Sequence, residues 1–420
     1  MSEPWPIVPL GEIVRDLEAG VSVNALDEAI TMDSDIGVLK VSCVSQGRFL
    51  STKNKKVIPE DVPRVSVSPK RGDIIISRAN TFELVGASGY VEQDHPNLFL
   101  SDKLWRVILS DSAVDSPRWL IALLNSNKLR REFHRRATGT SGSMKNISKE
   151  SLLAIKVPRP GKELQAQLGL VFANFEDLSK SLEDEIRAKQ TLKRGLMQRL
   201  LCGQKRFPEF FQSNDRQLGE FGTVPRDWSV VHISNIATEV KTRGEVDGSV
   251  VYSCTKHDGL VPSLEYFGKQ VFSRDLAAYK RLQAGDFAYA TNHIEEGSIG
   301  LLRKGQPPGL VSPMYTVFRP NNRVNPEYLF ALLKTESYRR VFEKRTSASV
   351  DRRGSLRWKE FSRIRLGLPS IKEQDRIANT LHLLDIEIDQ LGQLYELIES
   401  QKRALLTGLL SGELSAPVPA

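Results

Sequence analysis

Ala122-Leu123-Leu124, followed by Arg130-Arg131 and Phe133, returns 209 positions later as Ala331-Leu332-Leu333, Arg339-Arg340 and Phe342. The register then holds without a gap. Ile155 falls on Ile364, Pro160 on Pro369, Gln165 on Gln374, Arg194 on Arg403, Leu200-Leu201 on Leu409-Leu410 and Gly203 on Gly412. Upstream it drifts by a few residues, as loops of unequal length require. Arg71-Gly72-Asp73-Ile74 meets Ala284-Gly285-Asp286-Phe287, Ser42-Cys43 meets Ser253-Cys254, and Trp5 pairs loosely with Trp228. Two helices alike by chance would not carry such matches into loops and strands. The chain reads as a duplication, and a repeat of this kind governs the fold.

Each half divides again by pattern. Short β-like runs at 37–42, 73–77 and 104–108, punctuated by Gly and Pro, precede a helical stretch at 117–136. The second half offers strands at 248–254, 286–290, 298–302 and 315–318. The fold class is therefore α+β. The expected domains are a first α+β domain over 1–158, a central long helix within 159–205, a second α+β domain over 206–366, a C-terminal long helix within 367–413, and a tail over 414–420.

The long helices are predicted by an apolar seam. In the second it runs Ile377, Leu381, Leu384, Ile388, Leu391, Tyr395, Ile398, Leu405 and Leu409, with Lys402 in the one missing slot. Steps of four and three make this a heptad pattern. The first helix repeats it at Leu168, Phe172, Phe175, Leu182, Ile186, Leu196 and Leu200, interrupted by Ser179, Lys189 and Lys193. A helix over 163–201 is roughly 58 Å long at about 1.5 Å per residue. That overhangs an α+β domain whose radius of gyration is about 15 Å. The expectation is that the two helices pack on each other as an antiparallel coiled coil, relating the halves by a pseudo-twofold axis with the α+β domains at opposite ends.

Composition bounds the function. The chain has 420 residues, 40% apolar and 26% charged, and Lys+Arg 59 against Asp+Glu 51 leaves +8. A modest basic excess favours an anionic partner such as nucleic acid. No apolar run reaches the roughly 18 residues of a membrane span, and no signal peptide is visible at the start. Cys43, Cys202 and Cys254 form no C-x-x-C pair, so neither a disulfide framework nor a four-cysteine zinc site is expected, and a cytoplasmic setting is. Catalytic signatures are missing: no G-x-G, no P-loop, no H-E-x-x-H and no G-x-S-x-G. His293-Ile294-Glu295 resembles part of a zinc deaminase signature, but no cysteine pair follows. No catalytic or metal residue is expected. The competing enzyme reading is a Mg²⁺ nuclease built on Asp227, Glu239 and Lys241. A coiled-coil scaffold that binds only protein is a third.

Residues suited to DNA recur at matching positions. Arg135, Arg136, Thr138, Ser141, Ser143 and Lys145 in the first half correspond to Arg345, Thr346, Ser347, Arg352 and Arg353 in the second. Arginine makes bidentate bonds to phosphate or guanine, and hydroxyls and glycine amides fit phosphate oxygens. A second surface follows the Gly-Asp strand: Arg78, Asn80 and Thr81 in one half, Asn292 and His293 in the other. These loops differ while the strand before them matches, as a reader of two different sequences requires.

At this point the residues reach a family. The chain resembles the specificity subunit of Type I restriction–modification systems over essentially its whole length. The resemblance is carried by Gly354-Ser355-Leu356-Arg357-Trp358-Lys359-Glu360-Phe361, by Leu368-Pro369-Ser370-Ile371-Lys372-Glu373-Gln374, and by Leu405-Leu406-Thr407-Gly408-Leu409-Leu410-Ser411-Gly412. The first half holds a degenerate version, Met144-Lys145-Asn146-Ile147-Ser148 through Val157-Pro158-Arg159-Pro160, with Leu164 where the second has Glu373. The resemblance implies that this last difference bears on a partner contact. It also implies two target recognition domains that each read half of a split duplex-DNA site, with the long helices setting the gap. Two methyltransferase subunits would dock and bring S-adenosylmethionine; motor-nuclease subunits would add ATP and Mg²⁺. The chain itself would hold no cofactor and catalyse nothing. It would work on DNA in a bacterial or archaeal cytoplasm, with no membrane partner.

Overall fold

The computed structural model describes residues 5–32, 34–45, 47–111, 114–139, 144–220, 222–244, 249–347 and 355–411. The chain divides into two compact units, 1–184 with 392–420, and 185–391. The division passes through both long helices, Lys162–Leu200 and Ile371–Ser411, so each unit owns a piece of each.

In the first unit a six-stranded sheet runs in the order Val14–Ala19, Leu104–Leu109, Ile74–Ser77, Ser88–Tyr90, Gly47–Phe49, Val44–Ser45. The second unit repeats its first four positions as Ala237–Glu239, Tyr315–Pro320, Phe287–Ala290 and Ile299–Leu301. Each unit closes alike: Ile7–Pro9 pairs antiparallel with Lys156–Pro158, and Ser229–His232 with Arg365–Leu368. Two glycines mark where a neighbouring chain segment comes closest. A Cβ on Gly89 would lie 2.3 Å from the Arg48 carbonyl oxygen, and one on Gly300 2.4 Å from the Leu260 amide. Only glycine fits there.

The helical stretch expected at 117–136 is two helices, Pro117–Leu124 and Asn127–Arg136. Asn125 ends the first and Ser126 caps the second, its Oγ accepting from the Leu129 amide. Pro117 and Pro326 both stand at the first helical turn, capped by Ser116 and Asn325. A buried glutamine fastens each cap to the start of a long helix. Gln165 accepts from the Ser116 amide (3.0 Å) and donates to the Pro160 carbonyl (2.9 Å). Gln374 accepts from the Asn325 amide (2.8 Å) and donates to the Pro369 carbonyl (3.0 Å). Both are sealed from water, so each amide has to find partners inside.

The long helices pack side by side and antiparallel within each unit. In the first, Glu176, Ser179 and Glu183 meet Lys402, Glu399 and Tyr395 in that order. In the second, Lys189 and Lys193 meet Glu387 and Asp385. The residues that interrupt the seam thus supply its polar pairs. Arg48, on the sheet of the first unit, donates to Glu183 (2.5 Å) and lies at ion-pair distance from Glu176 (3.5 Å). Every seam residue is buried or half-buried, including Phe175, Ile186, Leu196, Ile388, Leu391, Tyr395, Ile398 and Leu405. The seam's ends belong to the unit cores as well. Leu168, Phe172 and Leu409 join Leu17, Ile76, Trp105, Trp119 and Phe133. Leu200, Ile377 and Leu381 join Phe287, Tyr289, Phe318, Tyr328 and Phe342. Only Leu182 and Leu384 are buried seam positions outside these cores. Among the described residues no helix is long and apolar enough to cross a membrane.

Glu373 lies inside the second unit, not on a partner-facing surface. Arg206 donates to both its oxygens (2.8 Å each) and to both oxygens of Asp227 (2.8 Å each). Leu164 at the matching place in the first unit is an apolar neighbour of the core there.

Candidate nucleic-acid interface

In the first unit the strand Ile74–Ser77 leads into Arg78 and then the short strand Ala79–Asn80. That strand pairs with Lys145–Asn146, Lys145 opposite Asn80. Thr138 exchanges both backbone bonds with Asn146 (2.8 and 2.9 Å), and the Arg78 carbonyl accepts from the Ile147 amide (3.0 Å). Two segments far apart in sequence thereby become one surface, carrying Arg78, Thr81, Thr138 and Lys145. Thr81 and Thr138 are exposed. Arg78 lies with its guanidinium carbon 5.8 Å from the centre of the Trp105 ring.

Other candidates are committed to the fold. Asn80 is buried; its amide donates to Ser77 Oγ and its oxygen accepts from the Thr81 amide. Arg136 bonds Glu132 and the Ser151 carbonyl (3.2 Å). Arg135 is exposed but pairs with Glu132 at 2.7 Å. The Arg135 guanidinium holds the Glu132 carboxyl below its ordinary value.

The second unit repeats the joint. The Thr291 carbonyl accepts from the Leu356 amide (2.7 Å), as Arg78 does from Ile147. Asn292 and His293 stand on the turn that follows, Asn292 half-buried and His293 exposed. His293 Nδ1 lies 3.3 Å from Glu296 Oε1. Arg345 donates to Glu220 (2.9 Å), which also accepts from Arg365 (3.2 Å). Burial raises the Glu220 carboxyl, but the two arginines outweigh it and hold it below its usual value. Thr346 turns inward and donates to the Phe342 carbonyl (2.6 Å). Ser347 is the last residue of its helix. Ser141, Ser143, Arg352 and Arg353 lie outside the described residues. Glu220 and the two buried glutamines escaped the sequence reading. The recurrence of Gln165 at Gln374 was the available signal for the glutamines; Glu220 left none.

No family model matches the chain. Curated relatives do, from end to end. The Type I restriction enzyme MjaVIII specificity subunit of Methanocaldococcus jannaschii is 21% identical over 430 aligned positions, covering 98% of this chain and 93% of the relative. The putative type I restriction enzyme MjaX specificity subunit of the same organism is 22% identical over 437, covering 98% and 94%. The crystal structure of the Type-I restriction-modification system S subunit from M. genitalium shares the fold, with a TM-score of 0.61 at 15% identity, covering 98% of this chain and 97% of that one. Over its whole length the chain is similar to Type I restriction enzyme specificity subunits.

The carboxylates of the competing nuclease reading are engaged. Both oxygens of Asp227 accept from Arg206, and Glu239 pairs with Lys241 at 3.4 Å. Among the described residues one group, His293, Glu295 and Glu296, could offer metal ligands within 4.8 Å of one another. His293 and Glu296 are exposed on a turn, and Glu295 is half-buried, its Oε2 out of contact with water and without a hydrogen-bond partner.

Proposed function

We propose that this chain is a specificity subunit that reads a split duplex-DNA target, one half-site per α+β unit, and that its paired long helices set the gap between the half-sites. One observation carries the reading. The same joint, a strand running into a loop braced by a returning segment, occurs in both units, while the residues it presents differ: Arg78-Ala79-Asn80-Thr81 in one, Thr291-Asn292-His293 in the other. A framework that is kept while its presented side chains change suits two readers of different base sequences.

The side chains best placed to meet DNA are Arg78, Thr81, Thr138 and Lys145 in the first unit and Asn292 and His293 in the second, while Arg135 and Arg345 are held by Glu132 and Glu220 beside them. Ser141, Ser143, Ser347, Arg352 and Arg353 complete the set on sequence grounds. Asn80, Arg136 and Thr346 support the surface from behind. Methyltransferase subunits would dock on this chain and bring S-adenosylmethionine, and motor-nuclease subunits would bring ATP and Mg²⁺. The assembly works on DNA in the cytoplasm.

The test is the host methylome, read with and without the gene. Loss of one split adenine-methylated motif on deletion is the expected result, and an unchanged methylome rejects the reading. Removing one heptad from each long helix shortens it by about 10 Å. That is expected to shorten the spacer by about three base pairs at ~3.4 Å each and leave both half-sites as they were.

A further inference from the structure

The arginine pairs that marked the repeat, Arg130-Arg131 and Arg339-Arg340, include one member in each unit that reaches under the loop after the Gly-Asp strand. Arg130 donates from Nη2 to the Glu83 carbonyl (2.6 Å) and from Nη1 to the Val85 carbonyl (2.9 Å). Arg339 donates from Nε to the Glu295 carbonyl (3.1 Å). Lys334 helps it, giving its ammonium to the Gly297 carbonyl (2.8 Å) and the Lys256 carbonyl (2.9 Å).

The gripped carbonyls stand in equivalent places. In each unit the loop returns to its sheet through a left-handed glycine, Gly86 at φ +72° and Gly297 at φ +98°. Val85 stands next to the first with Glu83 two residues further back, and Glu295 stands two residues before the second. A Cβ on Gly86 would strike the Phe133 ring at 2.8 Å, so the return is fixed from the side as well. The loops themselves share neither length nor sequence. What recurs is a cation on the following helix and the backbone oxygens it holds.

We infer that Arg130 and Arg339 are positioning residues for base reading, each fixing the loop that presents Arg78–Thr81 or Asn292–His293 at a set height on its sheet. A guanidinium suits the task because its charge-assisted bonds are stronger than neutral ones; the planar fork of Arg130 meets two carbonyls at once, and Arg339 meets one while its Nη1 donates to Glu336 (3.1 Å). Burial pushes the Arg130 guanidinium below its usual range, the mark of a cation drawn out of water toward the loop. Neither arginine needs to touch DNA. A loop displaced by 1 Å would still meet phosphate, but it would lose the hydrogen-bond geometry that tells one base from another.

The inference rests on the split-target reading, and its test separates the two. The full chain is assembled with its methyltransferase subunits and given duplexes carrying the motif that the methylome returns. Methylation rates are compared on the cognate duplex and on duplexes with one base pair changed in either half-site. Arg130→Met is expected to lower discrimination about tenfold or more at one half-site, and Arg339→Met at the other, the scale of one bidentate base contact. The slope of log affinity against log salt is expected to stay at its wild-type value, because neither guanidinium neutralises a phosphate. Amide exchange at 81–86 is expected to quicken in Arg130→Met while the rest of the unit stays protected. Arg130→Lys keeps the charge and should recover part of the discrimination; with Arg339→Met it carries the test if Arg130→Met does not fold. Unchanged discrimination, loss at both half-sites alike, or a salt slope smaller by about one overturns the inference. A wild-type complex with no split motif rejects the reading beneath it instead.

Discussion

Arg206 is nearly sealed within the second unit, its side chain 5% exposed, between Glu373 at 2% and Asp227 at 22%. Its four hydrogen bonds tie three places together: the chain just past the first long helix, the entry to the α+β fold, and the first turn of the second long helix. The acid is also well placed at the positive end of that helix. Arg206→Met would strand two carboxylates, one of them out of reach of water. Breaking a buried pair in this way costs about 3–5 kcal/mol. Glu373→Leu alone costs less, because Arg206 keeps Asp227. The double variant copies the apolar residue of the first unit, Leu164, and leaves only Asp227 without its partner; that acid is 22% exposed and within reach of water, so most of the loss should be recovered, since apolar replacement of a buried pair is often neutral or better. The coupling between the two sites is therefore expected to be about 3 kcal/mol. A chain of two units need not unfold in one step. The measurement is therefore amide exchange at 226–232 and 371–391 across a urea series, which reads the second unit alone. The reasoning fails if Arg206→Met costs under about 1 kcal/mol, or if the double variant loses as much as the two single variants together.

Tyr395 gives a pH prediction. Burial, then the Glu183 carboxylate that accepts a hydrogen bond from it at 2.9 Å, push the phenol up to about 12. The unfolded phenol titrates near 10. Below pH 10 the contribution is constant. Between about 10 and 12 the unfolded chain loses this proton first, so stability falls as pH rises. Tyr395→Phe should remove that share of the alkaline loss and cost about 0.5–1.5 kcal/mol at neutral pH. Parallel urea curves at pH 9 and 11 for both proteins check it, and equal alkaline losses would refute it. Gly89→Ala and Gly300→Ala should each cost at least about 1–3 kcal/mol, because the new methyl meets backbone that cannot step aside. Gly195→Ala, mid-helix with open space around it, should instead gain about 0.5–1 kcal/mol. Thermal melts of the three variants check both signs.

The duplication and the long helices could be read because periodicity and repeat are local signals. The break at Ser126 could not: no proline marks it, and apolar residues continue on both sides. The hairpin Arg216–Leu218 with Thr223–Pro225 was missed for a related reason. It is polar, short and held by Arg216, which donates to the Gly203 and Thr223 carbonyls, and none of this leaves an alternating pattern. In the candidate interface, sequence identified the loops but not which side chains face outward. Asn80 and Thr346 carry polar groups suited to DNA, and both bond to nearby atoms of their own unit instead, a choice that depends on local backbone geometry. Arg345 is engaged by Glu220, an acid 125 residues away in sequence. The Glu373 misreading has the same origin, for its partner Arg206 stands 167 residues away.

Neither α+β core is complete without the far ends of the long helices. Leu405, Leu406, Leu409 and Leu410 seal the first, and Leu196, Leu200 and Leu201 the second. Leu196, Leu200 and Leu201 occupy the same places in the repeat as Leu405, Leu409 and Leu410. A single repeat thus carries both a socket and a plug that fits its own socket. Two copies of an ancestral half-length gene product could have sealed each other before fusion placed them on one chain. The joint lies in the helices and the presented loops lie elsewhere, so genetic exchange of one half would replace a half-site while keeping the seal.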